Sequence, residues 1–117
     1  MKILLIINDA PYGSEKAYNA LRIANEFGRN QDDVEVRIFL LGDAVGCAVS
    51  GQDTPSGFYN IERMLKLALT KKSKIGVCTT CSNARGVKEG MLIEGISMSS
   101  MNELGNWIIE CDKVLVF

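Results

Sequence analysis

The 117-residue chain has no histidine. That single absence excludes Ser-His-Asp and Cys-His nucleophile activation, His-ligated zinc and imidazole general-base chemistry. Acid-base or nucleophilic work therefore falls to Cys, Lys, Tyr or carboxylate side chains. An excess of charge of one sign is missing too. Thirteen Lys+Arg against fourteen Asp+Glu leave a formal net charge of -1, so the chain lacks the broadly basic composition that non-specific nucleic-acid binding draws on. No nucleic-acid partner is expected. Long apolar runs are also lacking. The opening stretch Ile3–Ile7 follows Lys2 and is too short for a signal h-region or a membrane span. The expected location is cytoplasmic, with no membrane partner. Proline occurs only at Pro11 and Pro55.

What is present is a balanced globular composition, 47% hydrophobic and 23% charged, which rules out a disordered or low-complexity chain. The length fits one domain over residues 1–117, and no internal repeat, charge block or linker marks a second. Lys2–Ile7 reads as a buried strand that ends at Asn8-Asp9. From Ser14, a candidate N-cap, Ala17, Ala20, Leu21, Ala24 and Phe27 recur at helical spacing, with Gly28 and Asn30 near the stop. Val34–Leu41 is a second strand. Gly42–Gly57 is the longest irregular stretch, with one turn of helix expected at Ala44–Val49. A helix follows over Tyr59–Lys71, then a strand at Lys74–Cys78 and a short helix that Gly86 stops. Gly90–Met98 predicts a weaker, peripheral strand, Ser99–Glu110 the last helix, and Asp112–Phe117 a fifth strand. This alternation predicts an α/β fold, a mostly parallel sheet with helices on both sides.

In such a sheet, ligands and reacting groups collect where the strands end. Three loops qualify: Asn8–Ser14, Gly42–Gly57 and Cys78–Arg85. The third carries a Cys-x-x-Cys pair at a strand-to-helix junction, where unpaired N–H groups favour thiolate over thiol, and Arg85 could add positive charge. Four cysteines, Cys47, Cys78, Cys81 and Cys111, argue for chemistry, metal or packing rather than a disulfide framework. Simple packing is one reading of the pair. Zinc is another, but without histidine it would have to recruit Cys47 and Cys111 or a second subunit. Cys111 falls in register with Met101, Leu104 and Ile108, which places it in the core and leaves zinc short of a ligand. A thioredoxin-like disulfide is a third reading, although such chains place the pair after an early strand and face it with a cis-proline. No G-x-G-x-x-G or P-loop lysine follows any strand.

The stretch Val77-Cys78-Thr79-Thr80-Cys81-Ser82-Asn83-Ala84-Arg85-Gly86-Val87 resembles the DsrE/DsrF-like family. So do the opening Lys2–Ile7, the Leu41-Gly42-Asp43-Ala44-Val45 turn and the closing Asp112–Phe117. The resemblance covers essentially the whole chain. It implies a three-layer α/β/α sandwich with a five-stranded parallel sheet and oligomers built from trimers. It also implies sulfur-relay proteins, such as the TusD type, that carry a persulfide on one cysteine. Cys78 matches that sulfur-carrying position. Cys81 matches a second cysteine found in an uncharacterised Cys-x-x-Cys branch and absent from the TusD type.

The resulting expectation is a small sulfur-relay protein, with a thiol-disulfide redox protein or a non-catalytic oligomeric module as alternatives. Whether it turns over a substrate as a sulfurtransferase stays open. Cys78 is the carrier, Cys81 a modulator or resolving thiol, and Arg85 an anion stabiliser. The Gly42–Gly57 loop with Cys47 covers the site. Neither a metal nor an organic cofactor is called for, and the partners are a sulfur donor and a sulfur acceptor protein. Of the two paired thiols, Cys78 is expected to be the more exposed and the more ionised. A homo-oligomer is expected because Met91, Met98 and Met101 cluster around the weakest strand, and methionine-rich surfaces adapt well to partners.

Overall fold

The computed structural model describes residues 1–30 and 33–117. β1 (Lys2–Ile7), β2 (Glu35–Leu40) and β3 (Lys74–Cys78) are nearly continuous apolar runs, buried along most of their length. Strands covered on both faces require that composition. β4 (Ser97–Ser99) and β5 (Lys113–Val116) are shorter. The five strands form one sheet in the order β4-β3-β2-β1-β5, and every pairing is parallel. Each crossover therefore needs a covering segment. α1 (Lys16–Asn30) and α2 (Ile61–Thr70) pack together, burying Ala17, Ala20, Leu21, Ile61 and Leu65.

Chain order advances from β1 to β4 along one direction of the sheet, whereas β5 lies on the far side of β1. α4 (Met101–Glu110) links these opposite edges and so crosses the other face. Its Trp107 meets Phe39 edge-on, ring centroids 5.9 Å apart. The result is the three-layer α/β/α sandwich expected from the sequence. No helix of the described residues is long and apolar enough to cross a membrane.

Three expectations are corrected. The strand read at Gly90–Met98 shrinks to Ser97–Ser99. Ahead of it come a 3-10 turn at Glu89–Met91 and a bend at Gly95, whose φ of +93° suits glycine. Leu92 and Ile93 fill the core from this irregular segment, where Leu92 makes an isolated antiparallel bridge to Val49, so their apolar character does not report a strand of the sheet. The buried line of α4 is Leu104 and Trp107, while Met101 is 62% exposed and Ile108 43%. Both lie about 70–90° around the helix from that line. Cys111 is half-buried rather than core. The helix ends at Glu110, and Cys111 is extended at φ -82° and ψ 145°, so helical phase no longer aims its side chain.

Candidate functional site

The site grows from the carboxyl end of β3. Valine and isoleucine carry the strand into the core, and at Cys78 the backbone is still extended, φ -60° and ψ 118°, before α3 (Thr79–Ala84) begins. Cys78 therefore occupies the N-cap position. Its Sγ accepts a hydrogen bond from the Cys81 N–H at 3.2 Å, the bond that Ser or Asp usually accepts at such a position. The Ser82 hydroxyl, fully buried, donates to the Cys78 carbonyl at 2.8 Å. The Thr79 hydroxyl donates to the Ser99 carbonyl at 2.7 Å and ties α3 to the edge strand β4. Gly86, at φ +69°, then turns the chain away.

Exposure of the two thiols is the reverse of the sequence expectation. Cys78 is buried, with only 4% of its surface accessible, and Cys81 is half-buried. The physical reason is their place in the fold: Cys78 is still a residue of a central strand, while Cys81 stands one turn out on the helix. Burial pushes the Cys78 thiol above its ordinary pKa, and the adjacent Cys81 thiol pushes the same way. The N–H groups of Cys81 and Thr80 oppose both. The resting Cys78 is thus more strongly held as thiol than a free cysteine, contrary to the expected extra ionisation.

Arg85 comes round at the end of α3, as the short helix allows. Its Nε donates to Asp43 Oδ1 at 2.8 Å, and its Nη1 donates to the Cys81 carbonyl at 3.0 Å. The guanidinium bridges α3 to the 3-10 helix Gly42–Ala48 that follows β2. Asp43 was missed in the sequence, where Gly42-Asp43 reads only as the end of a strand. An acidic residue at that end and an arginine two turns after Cys78 were the available signal.

Cys47 lies in this same 3-10 helix and is wholly buried. Its thiol is pushed up to about 12 by burial and sits 3.9 Å from the Asp9 carbonyl as a weak donor. Such a group stays protonated and packs against the turn after β1. The rest of the loop is held by polar contacts. The Gln52 amide donates to the carbonyls of Cys47 and Val49, each at 2.9 Å. The Glu62 carboxylate accepts the N–H groups of Gly51 and Gln52, each at 2.8 Å, and Lys66 above all holds it below the usual carboxylate range. These bonds fix the later part of the loop to α2, while the 3-10 helix Gly42–Ala48 at its start packs against α3.

The structure joins Cys78, Cys81 and Arg85 at one edge, sets Cys47 behind them in the core, and puts Cys111 at the opposite edge beside the start of β5. Among the described residues, no three Cys, Asp or Glu side chains are grouped so as to hold a metal ion.

The profile of the DsrE/DsrF-like family matches residues 1–117. The chain belongs to the DsrE/DsrF-like family. Among its relatives, Protein YchN of Escherichia coli strain K12 is 37% identical over 116 residues, 99% of this chain and 98% of that one. An uncharacterized protein of Methanocaldococcus jannaschii is 41% identical over 117 residues, the full length of both. The crystal structure of the ychN protein from E. coli superposes with a TM-score of 0.93 at 36% identity, covering 99% of this chain and 98% of that one. The DsrE/DsrF-like fold thus holds from the first strand to the last.

Proposed function

We propose that this DsrE/DsrF-like protein is a sulfur-relay protein that accepts sulfane sulfur as a persulfide on Cys78 and hands it to a partner protein. The observation that carries this reading is the Cys78 sulfur at the end of a buried parallel strand, already accepting the Cys81 N–H. A persulfide is an anion at neutral pH, and a fixed donor aimed at its base stabilises it. Family membership and the similarity to a Protein TusC homolog of Aliivibrio fischeri, 25% identical over 120 residues and covering 96% of this chain and 95% of that one, support the same class of chemistry.

In loading, the Cys78 thiol gives up its proton as its sulfur attacks the outer sulfur of a donor persulfide, and the donor sulfur leaves with the bonding pair and takes up that proton. Discharge repeats the exchange with an acceptor thiolate as nucleophile. Arg85, held by Asp43 and by the Cys81 carbonyl, positions α3, and Cys47 supports the turn after β1. The exposed apolar residues Met91, Met101 and Ile109, the last 84% exposed, support a homo-oligomer, and the family resemblance supports its assembly from trimers.

The test is treatment with a small-molecule persulfide in the absence of reductant, followed by intact-mass and peptide analysis. The Cys81→Ser protein gains the mass of one sulfur atom at Cys78. Cys78→Ser gains none, and normal loading of Cys78→Ser overturns the reading.

A further inference from the structure

We infer that Cys81 discharges the sulfur carried on Cys78 as hydrosulfide, closing a Cys78–Cys81 disulfide, so that the pair reduces sulfane sulfur as well as carrying it. This rests on the persulfide reading of Cys78. The geometry that points to it is the 3.2 Å contact between the Cys78 sulfur and the Cys81 N–H. It makes Cys78 the N-cap and Cys81 the third helical residue of one turn. Positions so related hold their Cα atoms about 5–6 Å apart, inside the ~4.4–6.8 Å range that a disulfide spans without backbone movement. Both thiols are free.

Two further observations favour discharge over storage. Cys78 is only 4% exposed, so a persulfide on it meets a thiol from solution less readily than one of its own turn. Meanwhile the half-buried Cys81 stands beside it as a nucleophile that needs no encounter. An intramolecular attack in a pre-set geometry outruns the same exchange with a thiol from solution.

The step balances as follows. Cys81 attacks the inner sulfur of the Cys78 persulfide, the bond between inner and outer sulfur breaks, and the outer sulfur departs with the bonding pair. The Cys81 thiol proton accounts for the hydrogen of the departing hydrosulfide. The sulfane sulfur is reduced by two electrons and the cysteine pair is oxidised to a disulfide. A dithiol reductant, small or protein-borne, returns the pair to its resting state by exchange. The partner chemistry of the site therefore includes such a dithiol beside the sulfur donor and acceptor.

The experiment uses the full chain, reduced and then freed of reductant, with one dose of glutathione persulfide. Sulfide is followed by an electrode, and the products by intact mass and peptide mapping. Wild type is expected to release one sulfide per chain and to lose the mass of two hydrogens, mapped to a Cys78–Cys81 disulfide. Cys81→Ser is expected to keep the added sulfur on Cys78 over the same interval, and dithiothreitol to restore wild type for a second round. Wild type that holds the added sulfur as long as Cys81→Ser overturns the inference and leaves the carrier reading standing. Failure of Cys81→Ser to load at Cys78 overturns the carrier reading itself.

Discussion

Both edges of the sheet carry a cysteine, in opposite surroundings. At the carboxyl edge, Cys78 meets a backbone donor, the Cys81 N–H at 3.2 Å. At the amino edge, Cys111 stands beside charged side chains. Arg37, only 3% exposed, donates to Glu35 at 2.7 Å and to Glu110 at 2.5 Å, and its guanidinium lies 5.4 Å from the Trp107 ring centroid. Lys2 and Lys74 lie close enough to act on the same carboxylates. Burial raises the Cys111 thiol, and Arg37 opposes it. The difference is directional. A parallel sheet turns each strand end toward the N–H groups of the next helix at one edge only, whereas side-chain charges at the other edge mainly satisfy one another.

The sharpest break of this comparison is to exchange the thiols' fates. In the Cys81→Ser background, where loaded sulfur is retained, Cys78→Ser is expected to abolish sulfur loading altogether, while Cys111→Ser leaves it at the level of Cys81→Ser alone, both read by intact mass after persulfide treatment. Loading at Cys111 to the same extent would erase the distinction between the edges.

Removing the charge at the amino edge acts on stability instead. Arg37→Met keeps the apolar stem and strips two ion pairs and the Trp107 contact. Glu35 and Glu110 are partly open to water, which screens their loss, so the expected effect is a modest fall of the urea midpoint. Sulfide release after persulfide treatment is expected to be unchanged in the folded variant.

The same cluster sets a pH dependence. A hydrogen bond from Arg37 is the main cause holding both Glu35 and Glu110 below the ordinary carboxylate value of 4.5. Their folded-state pKa lies below the unfolded one, so the contribution is complete above about pH 4.5 and fades as the pH falls through the lower folded values. Urea midpoints of wild type are expected to drop on acidification from pH 5 to pH 3, roughly the carboxylate range. Arg37→Met is expected to show a shallower drop, and equal slopes in the two proteins would separate Arg37 from the acid response.

The smallest effect is expected at the carboxyl edge. The Arg85–Asp43 pair is partly exposed, 39% and 68% by side chain, so Asp43→Asn is expected to cost no more than about 1 kcal/mol. Its effect is to loosen α3. Iodoacetamide labelling of Cys78 in the native protein is then expected to quicken about two- to fivefold, the factor that such an energy allows. Cys47, wholly buried, is expected to remain unlabelled in both.

Much of this molecule can be read in its amino-acid order. β1 and β3 coincide with the apolar runs Lys2–Ile7 and Lys74–Cys78, because a strand covered on both faces admits few polar residues. The alternation of such runs with helical periods determines a parallel sheet with helices on both sides. It also puts the Cys-x-x-Cys pair at a strand end and Arg85 within reach of it. Tertiary structure alone decided what depends on a neighbour far away in the chain. Asp43 becomes Arg85's partner because β2 and β3 lie side by side and end together. Leu92 and Ile93 are apolar for the core and not for a strand. Cys111 leaves the apolar stripe because α4 stops one residue before it. Most of all, Cys78 lies deeper than Cys81, and sequence spacing carries no such information. Local order sets which residues share a turn, but depth is set by what the other layers of the sandwich place over that turn.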